Sequence, residues 1–237
     1  MRSSRSRPDP LDPGPLGFAH RGLHFGSAVP ENSLEAFQEA LKLGAGIECD
    51  LRLTADGRIV LFHDADIQRL CASPLRISRS GWQDIAGLRV GGHSIPRLDG
   101  LLELVAGRVP LLLEVKVERD RLRWIPALTR ELAGYGGRFG VMSFDRRFVR
   151  QLAREMPVRR GLVMSDRLSF VERRASIRIA KPEFLAVEST ALGQRWVARA
   201  RAVMPVYGWT IGTREQRSQA AVQADALIWE ADGRPRI

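Results

Sequence analysis

The chain has 237 residues, 44% of them apolar and 27% charged, a composition that supports a large buried core and excludes global disorder. No apolar run approaches the roughly 20 residues of a membrane-spanning helix, and at this length we expect one domain. The net charge is +10, with eleven arginines against four acidic residues in 138–178; a solvated basic surface is the favoured interpretation, and no nucleic-acid partner is expected.

The N-terminal residues 1–15 are expected to form a flexible leader. They contain Arg and Pro, but no apolar segment follows, so the pattern is not that of a secretory signal. The two cysteines, Cys49 and Cys71, provide neither a disulfide framework nor zinc-ligand spacing. We therefore expect a reducing compartment and a cytoplasmic location.

Short apolar runs typical of strands alternate with helical patterns along the rest of the chain. The predicted strands are 16–22, 46–54, 110–117, 138–144, 158–165, 184–190, 204–212 and 225–230. The predicted helices are 32–43, 98–106, 122–133, 146–156, 167–180, 194–202 and 214–224. Alternation of this kind indicates parallel strands with right-handed crossovers. Eight strands favour an α/β fold of the (β/α)₈ (TIM) barrel type in a single domain over 16–237, with its final helix missing.

Two local predictions concern helix starts. Asn32 is expected to cap the first helix, with Glu35 in the capping-box position. Residues 65–96 are too long for a strand-to-helix loop, which usually has about 2–6 residues. We expect a small inserted lobe there, in which Ser80 caps a short helix that begins at Trp82.

A hairpin is predicted between the second strand and this lobe. Asp56-Gly57 is a strong signal for a two-residue turn. With these two residues as the loop, His63 would pair directly with Asp50, on the same face of the ribbon. A slip of one residue would turn His63 to the other face, so this prediction depends on the turn.

Polar residues end the first three predicted barrel strands, where the active sites of such barrels are built. His20 and Arg21 follow the first strand. The second and third carry two charged residues each, at spacing i and i+2 and hence on one face; these are Glu48, Asp50, Glu114 and Lys116. So many charges facing a barrel interior would be costly unless they were paired or bound to a metal.

The residue types indicate the chemistry. Three carboxylates suit one hard divalent cation, Mg²⁺ or Ca²⁺, better than zinc. Arg21 and Lys116 suit a phosphate group, and His20 and His63 can serve as an acid–base pair. Together these parts predict metal-assisted cleavage of a phosphodiester.

The ordered motifs resemble the glycerophosphodiester phosphodiesterase family. The matching segments are His20-Arg21-Gly22, Pro30-Glu31-Asn32-Ser33, Glu48-Cys49-Asp50, Thr54-Ala55-Asp56-Gly57, His63-Asp64, Glu114-Val115-Lys116, Ser143-Phe144-Asp145 and Trp209-Thr210. The resemblance implies a (β/α)₈ barrel with an inserted lobe, and hydrolysis of glycerophosphodiesters to glycerol 3-phosphate and an alcohol. It also implies a divalent cation, Mg²⁺ or Ca²⁺.

By this resemblance, His20 and His63 are the catalytic pair. The metal ligands would be Glu48, Asp50 and Glu114, and the phosphate-binding residues Arg21 and Lys116. Four further residues are candidates for the substrate pocket or for support of the site: Glu31, Asn32, Glu188 and Trp209.

The chain departs from the family at its last strand, where Glu230 follows Trp229 in place of the usual T-D-x-P segment. Two alternative functions stay open at this point. One is the same chemistry on a lipid phosphodiester, of the lysophospholipase D type, at a membrane surface that the chain does not span. The other is a non-catalytic basic binding scaffold. The head group, the cation and the oligomeric state are not predicted.

Overall fold

The structure is a computed structural model, and it describes residues 9–118 and 120–235. The strands in this part of the chain are β1 Phe18–Ala19, β2 Gly46–Leu53, β3 Ile59–Leu61, β4 Arg89–Val90, β5 His93–Ser94, β6 Leu111–Val115, β7 Phe139–Ser143, β8 Arg159–Met164, β9 Phe184–Glu188, β10 Val206–Ile211 and β11 Ala226–Trp229. The helices are α1 Leu34–Leu43, α2 Gln68–Cys71, α3 Trp82–Ile85, α4 Leu98–Val105, α5 Trp124–Leu132, α6 Arg146–Glu155, α7 Phe170–Ala180, α8 Arg195–Arg201 and α9 Arg214–Gln223.

Eight parallel strands form a closed barrel. Its order is β1, β2, β6, β7, β8, β9, β10 and β11, and β1 pairs with both β2 and β11. The helices between consecutive barrel strands cover the outside, so the predicted (β/α)₈ barrel is confirmed. No helix in the described residues is long and apolar enough to cross a membrane.

The alternation of side chains along β2 decides what faces the barrel axis. Ile47, Cys49 and Leu51 belong to the apolar cluster between the strands and the helices. Because successive side chains of a strand point to opposite faces, Glu48 and Asp50 point inward. A second apolar cluster fills the barrel below them, and it includes Phe18, Leu112, Met142, Phe184 and Tyr207.

The segment before β1 closes the floor of the barrel, which corrects the expected leader. Leu11 is buried in the interior cluster, and Gly140 on β7 leaves the room for it, because a Cβ there would collide with Leu11 Cδ1. The Tyr207 hydroxyl donates a hydrogen bond to Asp9. Residues 9–15 are thus packed against the barrel, and residues 1–8 lie outside the described residues.

The register of the β2–β3 hairpin differs from the prediction by one residue. Arg52 pairs with Val60, and the Phe62 N–H bonds the Asp50 carbonyl, so Phe62 rather than His63 stands opposite Asp50. The cause is a three-residue turn. Thr54 N–H bonds the Arg58 carbonyl, and Gly57 adopts a φ of +81°, the left-handed conformation that ends three-residue hairpin loops.

The cap of α1 also lies one residue later than predicted. Ser33 is the N-cap, and its hydroxyl accepts a hydrogen bond from the Ala36 N–H. Asn32 instead has a φ of +55° and directs its side chain at Asp50. The prediction was wrong because both residues are good caps, and only the fold shows which is free to act as one.

The inserted lobe packs against the β3 segment through a separate small apolar cluster. Val60 and Phe62 of that segment meet the lobe residues Ile67, Ile77, Ile85, Val90 and Ile95. The lobe contains α2, α3 and the hairpin of β4 and β5, and this hairpin was not predicted from the sequence. The predicted cap Ser80 is also wrong. Its hydroxyl donates to the Arg76 carbonyl, and α3 starts after Gly81, whose N–H bonds Asp84 Oδ2.

The barrel closes between β11 and β1. Phe18 pairs with Ile228 and Ala19 with Trp229. The Trp229 side chain is buried, and its indole N–H donates to the Leu16 carbonyl at 2.5 Å. A 3₁₀ turn, Ala231–Gly233, is the last element of the described residues. The departure from the family pattern therefore leaves the closing strand pair intact.

Candidate active site

Three buried carboxylates lie at the C-terminal end of the barrel, which we call the mouth. Asp50 on β2 pairs in register with Glu114 on β6, and Glu48 precedes Asp50 on the same face. Each residue offers one carboxylate oxygen such that the three oxygens lie within 4.8 Å of one another. The two neighbouring strands thus bring together Asp50 and Glu114, which are 64 positions apart in the sequence.

Burial makes this cluster electrostatically costly. The pKa of Glu48 is well above its usual value because of desolvation first, and then because of the charges of Asp50 and Glu114. Desolvation likewise raises the pKa of Glu114. Burial also opposes ionisation of Asp50, but Lys116 and Arg21 outweigh it and hold the pKa of Asp50 below its ordinary range.

The two predicted phosphate-binding residues both contact Asp50. Lys116 Nζ lies 2.9 Å from Asp50 Oδ1 and 2.5 Å from Glu114 Oε1. Burial lowers the pKa of Lys116, but these two carboxylates raise it more, so the ammonium stays charged. Arg21 Nε lies 3.1 Å from Asp50 Oδ2, and its main-chain N–H donates to Glu48 Oε2 at 3.0 Å. Both cations therefore lie beside the carboxylate cluster.

His63 reaches the mouth because the chain leaves the β3 ladder before it. Arg52 Nε donates to the His63 carbonyl at 3.0 Å and fixes the bend. The ring Nδ1 lies 2.7 Å from Asp64 Oδ1, and since a carboxylate only accepts, Nδ1 donates and Nε2 is left as the acceptor. Burial lowers the pKa of His63, and Lys116 and Arg21 lower it further, against the opposing charge of Asp50.

His20 is held in the same way from the other end of the chain. Its Nδ1 lies 2.7 Å from Glu230 Oε2, so its Nε2 is also left free of the supporting carboxylate. His24 Nε2 lies 3.8 Å from the same oxygen. The hydrogen bond from His20, together with the neighbouring His24 ring, holds the pKa of Glu230 well below its ordinary value.

Glu31 and Asn32 support the cluster. The Asn32 amide donates to Asp50 Oδ2 at 2.9 Å and accepts from the Asp50 N–H at 3.0 Å. Glu31 Oε1 accepts from Arg21 at 2.8 Å and from Arg69 of the inserted lobe at 2.7 Å. Arg69 also donates to Asp64 Oδ2 at 2.6 Å. This lobe residue therefore connects Glu31, which binds Arg21, to Asp64, which binds His63.

The remaining two candidates lie farther round the mouth. Glu188 Oε2 accepts from the Ser165 hydroxyl and the Asp166 N–H, and its Oε1 has no hydrogen-bond partner in the described residues. Trp209 packs edge-on against Phe144, with ring centres 5.5 Å apart. Its indole N–H is buried without a partner in the described part of the chain, so it can donate to a ligand.

Sequence reasoning missed Glu230 and Arg69 as members of this site. Glu230 was interpreted as a departure from a family pattern. However, closure of an eight-stranded barrel makes the last strand a neighbour of the first, so the residues that follow β11 and β1 must meet. The predicted barrel closure therefore already indicated that Glu230 lies near His20. Arg69 lies in the lobe, whose packing no sequence pattern predicts.

The donor set fits a divalent cation. Its three ligand atoms are hard oxygens, and Glu48 Oε1 is buried without a hydrogen-bond partner among the described residues. A buried, unsatisfied carboxylate oxygen is unfavourable without a positive partner. Glu48, Asp50 and Glu114 are therefore the residues that would hold the ion.

Comparison with known proteins identifies sequence relatives and structures of the same fold. The chain matches the glycerophosphoryl diester phosphodiesterase family over residues 20–231. It is 32% identical to the glycerophosphodiester phosphodiesterase of Bacillus altitudinis over 116 residues, 45% of this chain and 46% of that protein. It is 36% identical over 102 residues to the enzyme of the same name from Caldanaerobacter subterraneus subsp. tengcongensis, 39% of this chain and 41% of the relative.

The chain thus spans less than half the length of these curated relatives. Among solved structures, an Oleispira antarctica phosphodiesterase in complex with the product sn-glycerol-3-phosphate has the same fold, with a TM-score of 0.78 and 21% identity over 92% of this chain and 94% of that one. The family match covers most of the present sequence and includes every residue of the proposed centre. The chain therefore belongs to the glycerophosphoryl diester phosphodiesterase family.

Proposed function

We propose that this protein hydrolyses glycerophosphodiesters to glycerol 3-phosphate and an alcohol. One observation carries the proposal: two histidines, each supported on Nδ1 by a carboxylate, flank a buried cluster of three carboxylates and two cations. The Oleispira antarctica relative, solved with glycerol 3-phosphate, supports the same product.

A bound Mg²⁺ or Ca²⁺, held by Glu48, Asp50 and Glu114, would supply positive charge that stabilises the developing negative charge on the phosphoryl oxygens. Arg21 and Lys116 would bind the phosphate on the cationic side of the cluster. Trp209 would line the pocket with its free indole N–H, and Glu188 would accept a substrate hydroxyl on its free Oε1. Glu31 and Asn32 would hold Arg21 and Asp50 in place.

We assign His63 as the general base, because burial lowers its pKa and a neutral imidazole can accept a proton at Nε2. It would take the proton of the attacking oxygen. His20, as an imidazolium whose Nδ1–H is held by Glu230, would give its Nε2 proton to the oxygen of the departing alcohol and become neutral. Asp64 and Glu230 would keep the two rings oriented throughout.

The test is hydrolysis of glycerophosphocholine, followed by release of glycerol 3-phosphate, with added Mg²⁺ or Ca²⁺ and with EDTA. We expect activity that EDTA abolishes, and a loss of about 10²–10⁴-fold in His20→Ala and in His63→Ala, the usual contribution of a general acid or base. His93→Ala, in the hairpin of the lobe, is the matched control and should retain activity. An inactive wild-type chain with both cations and a range of head groups would favour the non-catalytic scaffold.

We also propose a reducing, cytoplasmic location. It rests on Cys49 and Cys71, which are both free thiols, as is usual for proteins of reducing compartments.

A further inference from the structure

Exposed apolar side chains lie in the two segments that follow the neighbouring strands β7 and β8, at the mouth of the barrel. Phe144 follows β7 and is 48% exposed, while Phe170 and Val171 begin α7 and are 64% and 72% exposed. Arg147 and Arg174 lie on α6 and α7, and Arg167 in the loop after β8. We call these six residues the docking rim: Phe144, Arg147, Arg167, Phe170, Val171 and Arg174. Exposure of several large apolar groups together, rimmed by polar residues, is typical of an interaction surface.

The cations of the rim are free. The guanidinium groups of Arg147, Arg167 and Arg174 make no hydrogen bond or ion pair with any described residue. The nearby acids are engaged elsewhere: Asp145 caps α6 through the Arg147 and Phe148 N–H groups, and Glu172 bonds Ser169. Because Phe170 and Arg174 are four residues apart on α7, they share one face of that helix. The rim therefore combines unpaired positive charge with exposed apolar groups.

A cavity of about 370 Å³ opens beside the rim between β7, β8, α6 and α7. Its apolar walls include Phe144, Met164 and Leu168, and Arg146 and Arg147 also line it. On its other side, Phe144 packs against Trp209, and Lys116 Nζ lies 6.0 Å from the Phe144 ring centre. Phe144 thus stands between the candidate active site and the cavity.

We propose that the docking rim binds the surface of an anionic phospholipid membrane. Phe144, Phe170 and Val171 enter the head-group region, and the three arginines contact lipid phosphates, the division of roles found in proteins that bind membrane interfaces. A nucleic acid would use the arginines but would leave the apolar groups in water. Membrane binding needs no catalysis; only its consequence, that the mouth meets lipid phosphodiesters at the bilayer, rests on the proposed function.

Co-flotation of the whole chain with vesicles tests the proposal. We expect binding to vesicles that contain phosphatidylglycerol and weak binding to pure phosphatidylcholine vesicles, with the difference reduced at high salt. The variant Phe170→Ser/Val171→Ser should bind at least about tenfold more weakly, since it removes buried apolar area at the interface. Its matched control is Val203→Ser/Val222→Ser, which removes two valines of 75% and 68% exposure from the far end of the barrel and should bind like the wild type.

A second pair of variants tests the charge. Arg167→Gln/Arg174→Gln should weaken binding to anionic vesicles by about tenfold or more, because each basic residue near an anionic surface adds electrostatic attraction. Arg154→Gln/Arg178→Gln removes the same charge from the exposed C-terminal halves of α6 and α7 and should have little effect.

Failure of the wild type to float with anionic vesicles would overturn the proposal, as would equal losses in the rim and control variants. A Phe170→Ser/Val171→Ser variant that changes only the oligomeric state in sedimentation would assign the rim to contacts between copies of the chain. Glycerophosphocholine hydrolysis by the same rim variants should be unchanged, so a failure of membrane binding is distinct from a failure of the proposed activity.

Discussion

At the scale of single residues, each histidine of the candidate site is oriented by a carboxylate outside the cluster of Glu48, Asp50 and Glu114. Asp64 is adjacent to His63 in the sequence, so this support could be predicted from the His63-Asp64 motif. Glu230 is 210 residues from His20, and no local pattern joins them. What the sequence conveys about a site is its residue types; which of them meet depends on strand order and register.

The support of His20 by Glu230 is testable. We expect Glu230→Ala to lower kcat by about 10–100-fold, the usual cost of losing a residue that orients a functional histidine, with a smaller change in KM. Glu230→Gln, which can still accept the Nδ1 hydrogen bond, should lose less than Glu230→Ala. Steady-state kinetics on glycerophosphocholine would measure both. Glu103→Gln, on the exposed face of α4, is the control, and equal effects of all three variants would contradict the assignment.

Glu48 should make stability depend on pH. Its folded-state pKa is raised by burial, and then by Asp50 and Glu114, so its protonated form favours folding. That contribution is complete below the unfolded value of about 4.3 and is lost as the pH rises through the folded pKa. In EDTA, the Tm of Glu48→Gln should therefore exceed that of the wild type by a margin that grows from pH 4.5 towards pH 8.

Thermal melts with added Mg²⁺ or Ca²⁺ complete this test. A cation that binds the folded state raises its stability by mass action, so the wild-type Tm should rise, and the Tm of Glu48→Gln should rise much less. If the difference in Tm between Glu48→Gln and the wild type in EDTA stayed constant with pH, the pKa of Glu48 would not be raised in the folded state.

At the scale of elements, the β2–β3 hairpin shows where sequence reasoning fails. The turn was located correctly at Asp56-Gly57, but its length was not, and one residue in a hairpin loop exchanges the faces of a strand. His63 still reaches the site because β3 ends at Leu61 and Arg52 holds the His63 carbonyl. The barrel strands were more predictable, because runs of buried apolar residues specify them without any dependence on turn type.

The three-residue turn predicts the effect of a substitution. Gly57 has a φ of +81°, a conformation that costs an L-residue about 1–2 kcal/mol. Gly57→Ala should therefore lower the free energy of unfolding by about 1 kcal/mol, measured by urea denaturation. Gly87, where a Cβ would meet open space and φ is not left-handed, is the matched control. Equal effects of the two Gly→Ala substitutions would contradict the left-handed conformation of Gly57.

At the scale of the whole molecule, the strand order and closure of the barrel follow from the alternation of elements, whereas its floor does not. Leu11 lies in a segment of Pro, Asp and Gly residues without periodicity, so a flexible leader was the reasonable expectation. Whether such a segment packs depends on the space at the bottom of the barrel, which Gly140 and its neighbours create. The amino-acid sequence around Leu11 does not itself indicate how much room the barrel leaves for that side chain.

The segment that closes the floor of the barrel should stabilise the fold mainly through the apolar area that the Leu11 side chain buries. Leu11 is 2% exposed, and Leu11→Ala should lower the free energy of unfolding by about 2–4 kcal/mol, as for other buried leucines. Leu122→Ala, at a leucine that is 69% exposed, should change it by less than about 0.5 kcal/mol. Urea denaturation of both variants is the measurement, and similar small effects would show that the floor segment is not packed in solution.

The contact between His20 and Glu230 places the proposed general acid at the junction of β1 and β11. The proposed activity therefore requires β11 to dock beside β1, which is the longest-range pairing in the barrel and carries the largest loop-closure entropy. The carboxylate cluster of β2 and β6 joins strands that lie much closer in the sequence, so it would form at a lower entropic cost than this step. An unfinished barrel would thus be able to bind a cation before it could turn over a substrate.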